Sequence, residues 1–198
     1  MPRGFAFAAV LLLLSAAARA QSDAELIAEA TLPLPPQLKH DAEVVATGPD
    51  GRQRVIRAGR TALTCTPDGP EPGFSVTCIN GSTGNVIAAY TGHLERGASI
   101  PEAWNAVNAA IEAGTLTTAT PGTLIFIQSG PSRAEAAHLA VTLVPYATAE
   151  ATGLPTRPTA DRAWLMCPGT ARAHIMLGQV PYGIDPNAGW ERCLLPGQ

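Results

Sequence analysis

Apolar and polar residues alternate in the central part of the chain in the way that β-strands require. The clearest run covers residues 138–145, in which Leu139, Val141 and Leu143 form an apolar set with smaller or polar residues between them. Successive side chains of a strand point to opposite faces, so this run predicts a strand with one fully apolar face. Other strand-like runs occur at residues 43–47, 52–58, 61–66, 74–79, 123–128, 163–166 and 174–177.

Turn residues separate the first four of these runs, which we therefore interpret as an antiparallel meander. A loop rich in Thr, Pro and Gly is predicted for residues 146–161, between the later strands.

Helical signals appear at three places outside the strand-like runs. Ser22 and Ser99 each precede a glutamate by three residues, which is the pattern of a capping box at the start of a helix. Trp104, Val107 and Ile111 follow the second box at helical spacing and mark the buried face of that helix. A shorter helix is predicted within residues 80–94.

The order of these elements indicates the fold class. Strands fall into an early and a late block, with helices before and between them, which favours α+β over a parallel α/β sheet. The expected architecture is one disulfide-stapled domain of antiparallel β-sheet with a few short helices, covering residues 21–198.

Composition narrows the class of protein. The 198 residues are 46% hydrophobic and 15% charged, which excludes a disordered chain. The formal net charge of -3 gives no basic face for nucleic acid, so no nucleic-acid partner is expected.

The first twenty residues have the pattern of a secretory signal peptide. Arg3 precedes an apolar run at residues 5–14, and Ala18-Arg19-Ala20 supplies the small residues before a cleavage site. The alternative is a membrane anchor, but the run is shorter than the about 20 residues that a spanning helix needs. We expect cleavage after Ala20, a secreted or periplasmic bacterial product, and no membrane span in the mature chain.

Cys65, Cys78, Cys167 and Cys193 all lie in the predicted mature chain. An even number of cysteines in an oxidising compartment favours disulfides, and three pairings are open. Cys65 and Cys78 bracket a turn-rich segment between two predicted strands, and Cys167–Cys193 would tie the tail to a late strand. We therefore favour these two pairs over a zinc site, because no CxxC spacing occurs.

Three motifs resemble those of a family of uncharacterised secreted bacterial proteins. They are Thr64-Cys65-x-Pro67-Asp68, the segment 144–158, and Trp164-Leu-Met-x-Pro-Gly-Thr-x-x-Ala-His-Ile-Met. The resemblance spans about residues 22–178 and implies secretion and a shared fold, but no activity, substrate or cofactor. It also implies that Cys65–Cys78 is the family's usual pair. Cys167 stands where the family more often has Asp or Trp, and Cys193 lies beyond the matched region.

The chain lacks the common catalytic motifs: GxSxG, the Walker A loop, HExxH, the EF-hand loop, and GxGxxG after a strand. His174 is the best single candidate, because it enters a predicted strand directly after a Pro-Gly-Thr turn. An imidazole can act as base, acid or metal ligand, but a histidine bonded to a backbone carbonyl is the more ordinary interpretation. If the strand of His138 lies beside that of His174, the two rings with Glu150 or Asp161 could form a metal or acid–base site.

Weaker candidates come from the loop and the turn. Glu150 and Arg157 could close the loop as an ion pair, or Arg157 could bind a carboxylate or phosphate. Thr170 could cap its turn or donate to a ligand. Trp104 and Trp164 are predicted to pack in the core, with stacking on a sugar or aromatic ligand as the alternative.

The function expected from these observations is a non-enzymatic secreted or periplasmic envelope module that binds a small molecule or a protein. The alternative is a hydrolase or metal-dependent enzyme with a site around His174 and His138. No cofactor and no resident metal are predicted.

Overall fold

The computed structural model describes residues 21–48, 50–159, 161–180, 182–183 and 193. The predicted signal peptide, residues 1–20, lies outside this described part. The helices are α1 (Asp23–Ala30), α2 (Pro36–Lys39), α3 (Gly81–Glu95), α4 (Ile100–Glu112) and α5 (Ala149–Thr152), with a 3-10 turn at Arg133–Glu135. The strands are β1 (Glu43–Thr47), β2 (Gln53–Arg57), β3 (Leu63–Thr66), β4 (Phe74–Asn80), β5 (Leu124–Gly130), β6 (Ala137–Leu143), β7 (Trp164–Met166) and β8 (His174–Gly178).

The strands form one eight-stranded sheet in the order β2-β1-β3-β4-β5-β6-β8-β7. Neighbouring strands are antiparallel, except for β1 and β3, which run parallel. The predicted α+β class with a mostly antiparallel sheet is therefore confirmed.

The predicted four-strand meander is wrong. A meander would place β2 between β1 and β3, whereas β1 itself pairs with both of them. The reason is burial: Val44 and Ala46 of β1 are buried, whereas Val55 of β2 is 58% exposed. The arginine-rich β2 thus suits the edge of the sheet, where charged residues discourage pairing with another chain.

Both capping boxes form as predicted. The Ser22 hydroxyl accepts from the Glu25 amide, and the Glu25 carboxylate accepts from the Ser22 amide at 2.7 Å. Ser99 and Glu102 repeat the arrangement at the start of α4. The predicted loop at residues 146–161 contains one unforeseen element, α5, whose first turn is capped by the Thr148 hydroxyl.

The two faces of the sheet carry different layers. We call the first the dense face: α1 and α2 cover it, and its core contains Ala30, Leu34, Val44, Cys65 and Cys78. The opposite face, here the cavity face, carries the apolar residues of β5 to β8, which are Ile125, Ile127, Leu139, Val141, Trp164 and Met176. Helices α3 and α4 lie over the cavity face.

Two disulfides join the predicted cysteine pairs. Cys65 and Cys78 are register partners on β3 and β4. Cys167, directly after β7, is bonded to Cys193. In the part of the chain that the structure describes, no helix has both the length and the apolar character to span a membrane.

Candidate functional site

A cavity of about 300 Å³ lies between the helix pair α3–α4 and the cavity face of the sheet. Its floor is formed by β5, β6, β7 and β8, and its roof by side chains from α3 and α4. The exposed Ile87 of α3 is one of its wall residues, so the cavity reaches solvent beside this helix. Its volume falls at the lower end of the range typical of small-molecule sites.

The wall of the cavity is mainly apolar. Ile127 on β5 and Leu139 and Val141 on β6 contribute aliphatic groups, and Trp164 and Met176 lie at the far end of the floor. This apolar floor follows from the strand alternation in residues 138–145, which leaves Leu139 and Val141 on one side.

The helix pair is held together by an aromatic stack rather than by close contact with the sheet. The rings of Tyr90 on α3 and Trp104 on α4 are stacked, with their planes 16° apart and their centroids 4.1 Å apart. Val86, Val107 and Ile111 complete the cluster between the two helices. Because this cluster fills the space between the helices, their apolar residues do not fill the space above the sheet.

His174 brings one polar group to the wall. Its Nδ1 lies 2.7 Å from the carbonyl oxygen of Arg172. A carbonyl only accepts, so Nδ1 carries the hydrogen and the neutral ring keeps its lone pair on Nε2. Burial lowers the pKa of His174, the bond to the Arg172 carbonyl raises it, and the Arg172 charge lowers it. The imidazole is therefore neutral at pH 7.

Arg172 supplies a cation to the same wall. Its guanidinium carbon lies 4.1 Å from the centre of the Trp104 ring, in cation–π contact. Its Nε donates to Asn108 Oδ1 at 2.9 Å. Burial lowers the pKa of Arg172 to about 10, so the group stays charged at neutral pH.

Three wall residues carry buried polar atoms with no hydrogen-bond partner among the described residues. They are the Thr83 hydroxyl and the indole nitrogens of Trp104 and Trp164. Leaving a buried donor unpaired costs about 1–3 kcal/mol, and native proteins contain few such groups.

The sequence-based hypothesis that His138 and His174 share a site is wrong. Strands β6 and β8 are neighbours, as that hypothesis required, but His174 pairs with Leu143. His138 is five residues away along β6, a distance of about 16 Å. An odd separation also places it on the opposite face, where it is exposed.

The remaining predicted residues lie away from the cavity. Thr170 is buried and caps its turn: its hydroxyl donates to the Cys167 carbonyl at 2.8 Å and accepts from the Arg172 amide. Glu150 on α5, Arg157 and Asp161 are exposed. The ion pair between Glu150 and Arg157 stays a prediction, and among the described residues no three His, Cys, Asp or Glu side chains form a metal-binding group.

Sequence reasoning missed Arg172, Thr83 and the cavity itself. A signal for Arg172 exists, because it is an arginine between Ala171 and Ala173 in a segment that is otherwise small or apolar. No local signal marks the cavity, which depends on how far the helix pair stands from the sheet.

Comparisons with protein-family models, with curated proteins and with solved structures give no match for this chain.

Proposed function

We propose that this chain is a secreted or periplasmic bacterial protein that binds one small, mainly apolar molecule in the cavity beneath α3 and α4. Secretion is supported by the predicted signal peptide and by two disulfides, which persist in oxidising compartments. The observation that carries the binding proposal is the cavity of about 300 Å³ with its mainly apolar wall.

Energetics favour a binding role for a cavity of this kind. An unfilled apolar space lowers the stability of a fold, because the residues of its wall lack the contacts that a filled core supplies. A whole domain is stable by only about 5–15 kcal/mol. A fold that keeps so large an apolar space gives up stability that close packing would supply, and a bound apolar ligand restores those contacts.

The enzyme alternative has less support. Catalysis by His174 requires a partner that positions or shares its proton, and His138 lies on the other face of the sheet. The partner that His174 does have is a backbone carbonyl, which orients the ring but takes no proton at neutral pH. A binding role uses the same imidazole as a neutral hydrogen-bond acceptor on the wall.

The test is binding of the neutral fluorescent dye 1-aminonaphthalene to the exported chain, purified without reductant. We expect saturable binding of one dye per chain. Ala119, a buried wall residue, allows the cavity to be filled from within. Ala119→Phe should weaken dye binding at least tenfold, and Leu143→Trp at the edge of the floor is a second blocking variant that disturbs the core less.

Ala88→Phe is the matched control, since Ala88 is an exposed residue of α3 outside the cavity wall. It should bind dye as the native chain does. Native mass spectrometry of the same preparation reports any co-purified molecule and the intact disulfides. The proposal fails if the folded native chain binds no dye, or if folded blocking variants bind it with native affinity.

A further inference from the structure

The polar side chains of the cavity wall make their hydrogen bonds with the protein itself. His174 Nδ1 donates to the Arg172 carbonyl, and Arg172 Nε donates to Asn108 Oδ1. The Thr118 hydroxyl donates to the Ala171 carbonyl at 3.2 Å. These bonds hold the side chains in place, and the donors that form them are not available to a ligand.

The other polar atoms of the described wall do not offer a donor either. The Thr83 hydroxyl and the indole nitrogens of Trp104 and Trp164 are themselves buried, so they present almost no surface to the cavity. His174 Nε2 keeps a lone pair and is an acceptor, which cannot pair with an acceptor atom of a ligand. An acceptor atom that entered this cavity would give up its hydrogen bonds to water without replacement, and an ionised group would lose still more.

The far end of the floor is formed by aromatic and sulfur-containing side chains. Trp164 on β7 and Met176 on β8 are register partners, and Met166 lies two residues after Trp164 on the same side of its strand. Thioether sulfurs make favourable contacts with aromatic rings, and aromatic rings pack well against each other in offset or edge-to-face arrangements. This end of the floor therefore favours an aromatic ligand.

The volume limits the size of the ligand. A dry apolar cavity of about 150 Å³ accommodates one benzene molecule. The cavity of this chain has about 300 Å³, which is enough for two fused rings.

We infer that the cavity takes a neutral aromatic molecule of about two fused rings that carries no hydrogen-bond acceptor, with its ring system against Trp164 and Met176. This inference rests on the proposed function and narrows the ligand from any small apolar molecule to one chemical class. The hydrogen bonds that the wall makes within the protein exclude acceptor atoms, and the indole and thioether groups select the ring.

The test compares naphthalene with quinoline as competitors of 1-aminonaphthalene at pH 8, where quinoline is neutral. The two molecules have the same shape, and quinoline replaces one C–H group with an acceptor nitrogen. We expect naphthalene to compete about 10-fold more strongly, because the nitrogen gives up a hydrogen bond to water and finds no donor on the wall. Equal competition would overturn the inference and leave the proposed function standing.

Val141→Thr places a hydroxyl donor on the floor with little change of shape. It should reduce the preference for naphthalene about 3- to 10-fold, because the new hydroxyl can donate to the quinoline nitrogen. Val55→Thr is the matched control, since it makes the same substitution at an exposed residue of β2, and it should retain the native preference.

An unchanged preference in the folded Val141→Thr variant would overturn the placement of the ligand on this floor. Absence of dye binding by the native chain would defeat the proposed function instead.

Discussion

The two faces of the same sheet are covered in different ways. On the dense face, α1 and α2 bring small residues against the sheet, so that Ala30, Ala42, Val44, Cys65 and Cys78 are all fully buried. On the cavity face, α3 and α4 bury their apolar residues mainly against each other. The first arrangement leaves little space beneath the helices, and the second leaves a cavity of about 300 Å³.

This difference assigns separate tasks to the two faces. Close packing contributes stability, because every lost contact or added methylene is felt in a filled core. A cavity provides space for a ligand, but the cavity face then contributes fewer packing contacts to the stability of the fold. The dense face therefore stabilises a fold whose other face is partly unfilled, and substitutions on the two faces should have different consequences.

Removal of the disulfides should give the largest effects. Their sequence separations of 13 and 26 residues correspond to about 3 and about 3.5 kcal/mol in the chain-entropy treatment. We expect Cys65→Ala with Cys78→Ala to lower the free energy of unfolding by about 3 kcal/mol with dye affinity unchanged. Urea unfolding followed by circular dichroism measures the first quantity, and dye titration the second.

The second disulfide provides a comparison with the first, because Cys167 belongs to the cavity wall and Cys65 and Cys78 belong to the dense face. Cys167→Ala with Cys193→Ala should cost a similar amount of stability and also weaken dye binding. Equal dye affinity in the two double variants would contradict the division of tasks between the faces.

Adding volume should separate the faces next. Ala30 is fully buried on the dense face, and Ala119 is 1% exposed on the cavity wall. Ala30→Phe has no room, so we expect a loss of about 3 kcal/mol from overpacking. Ala119→Phe enters existing space, so its free energy of unfolding should stay within about 1 kcal/mol of the native value. The same urea experiment measures the free energy of unfolding of both variants. Equal losses of stability would mean that the cavity wall has no more room for an added side chain than the dense face has.

A buried carboxylate on the side of α1 gives a smaller effect. The Glu29 side chain is 8% exposed, accepts from the Asp68 amide at 3.2 Å and forms an ion pair with Arg133 at 3.1 Å. Arg133→Met leaves this carboxylate with fewer donors, so we expect a loss of about 1–2 kcal/mol. Arg54→Met is the control, because its ion pair with Asp23 is exposed on both sides and should contribute little to stability. Similar losses in the two variants, measured by thermal unfolding, would contradict a special role for the buried carboxylate.

Local features of the fold could be predicted from the sequence. The capping boxes at Ser22 and Ser99 depend on residues three apart, and the strand over residues 138–145 depends on alternation within eight residues. Each is determined by neighbours in the chain, so its signal is complete within a short window.

Features that depend on distant pairing could not be predicted in the same way. The parallel contact of β1 with β3, and the faces on which His138 and His174 lie, depend on strand order and register. A shift of one residue in register moves every side chain to the other face. The site hypothesis therefore identified one wall residue, His174, and failed on its proposed partner.

The smallest predicted effect is a pH dependence of stability due to His174. In the unfolded chain its imidazole titrates near pH 6.5, whereas burial lowers its pKa in the folded chain. As the pH is lowered below about 6.5, the unfolded state therefore binds more protons than the folded state. The free energy of unfolding decreases on this acidification, until the pH reaches the pKa of His174 in the folded chain. His174→Asn keeps an N–H for the Arg172 carbonyl but cannot titrate, so the stability difference between native chain and variant should decrease from pH 8 to pH 5.

Urea unfolding at these two pH values measures that difference. The matched control is His138→Asn, at an exposed histidine on the opposite face, and the same difference measured for this variant should depend less on pH. The outcome bears on the comparison between the faces, because a wall that shields the imidazole from water lowers its pKa below the value in the unfolded chain. A difference that stays constant on acidification would mean that water reaches His174 freely. The cavity face would then be a wet cleft, and the energetic argument for an apolar ligand would lose its basis.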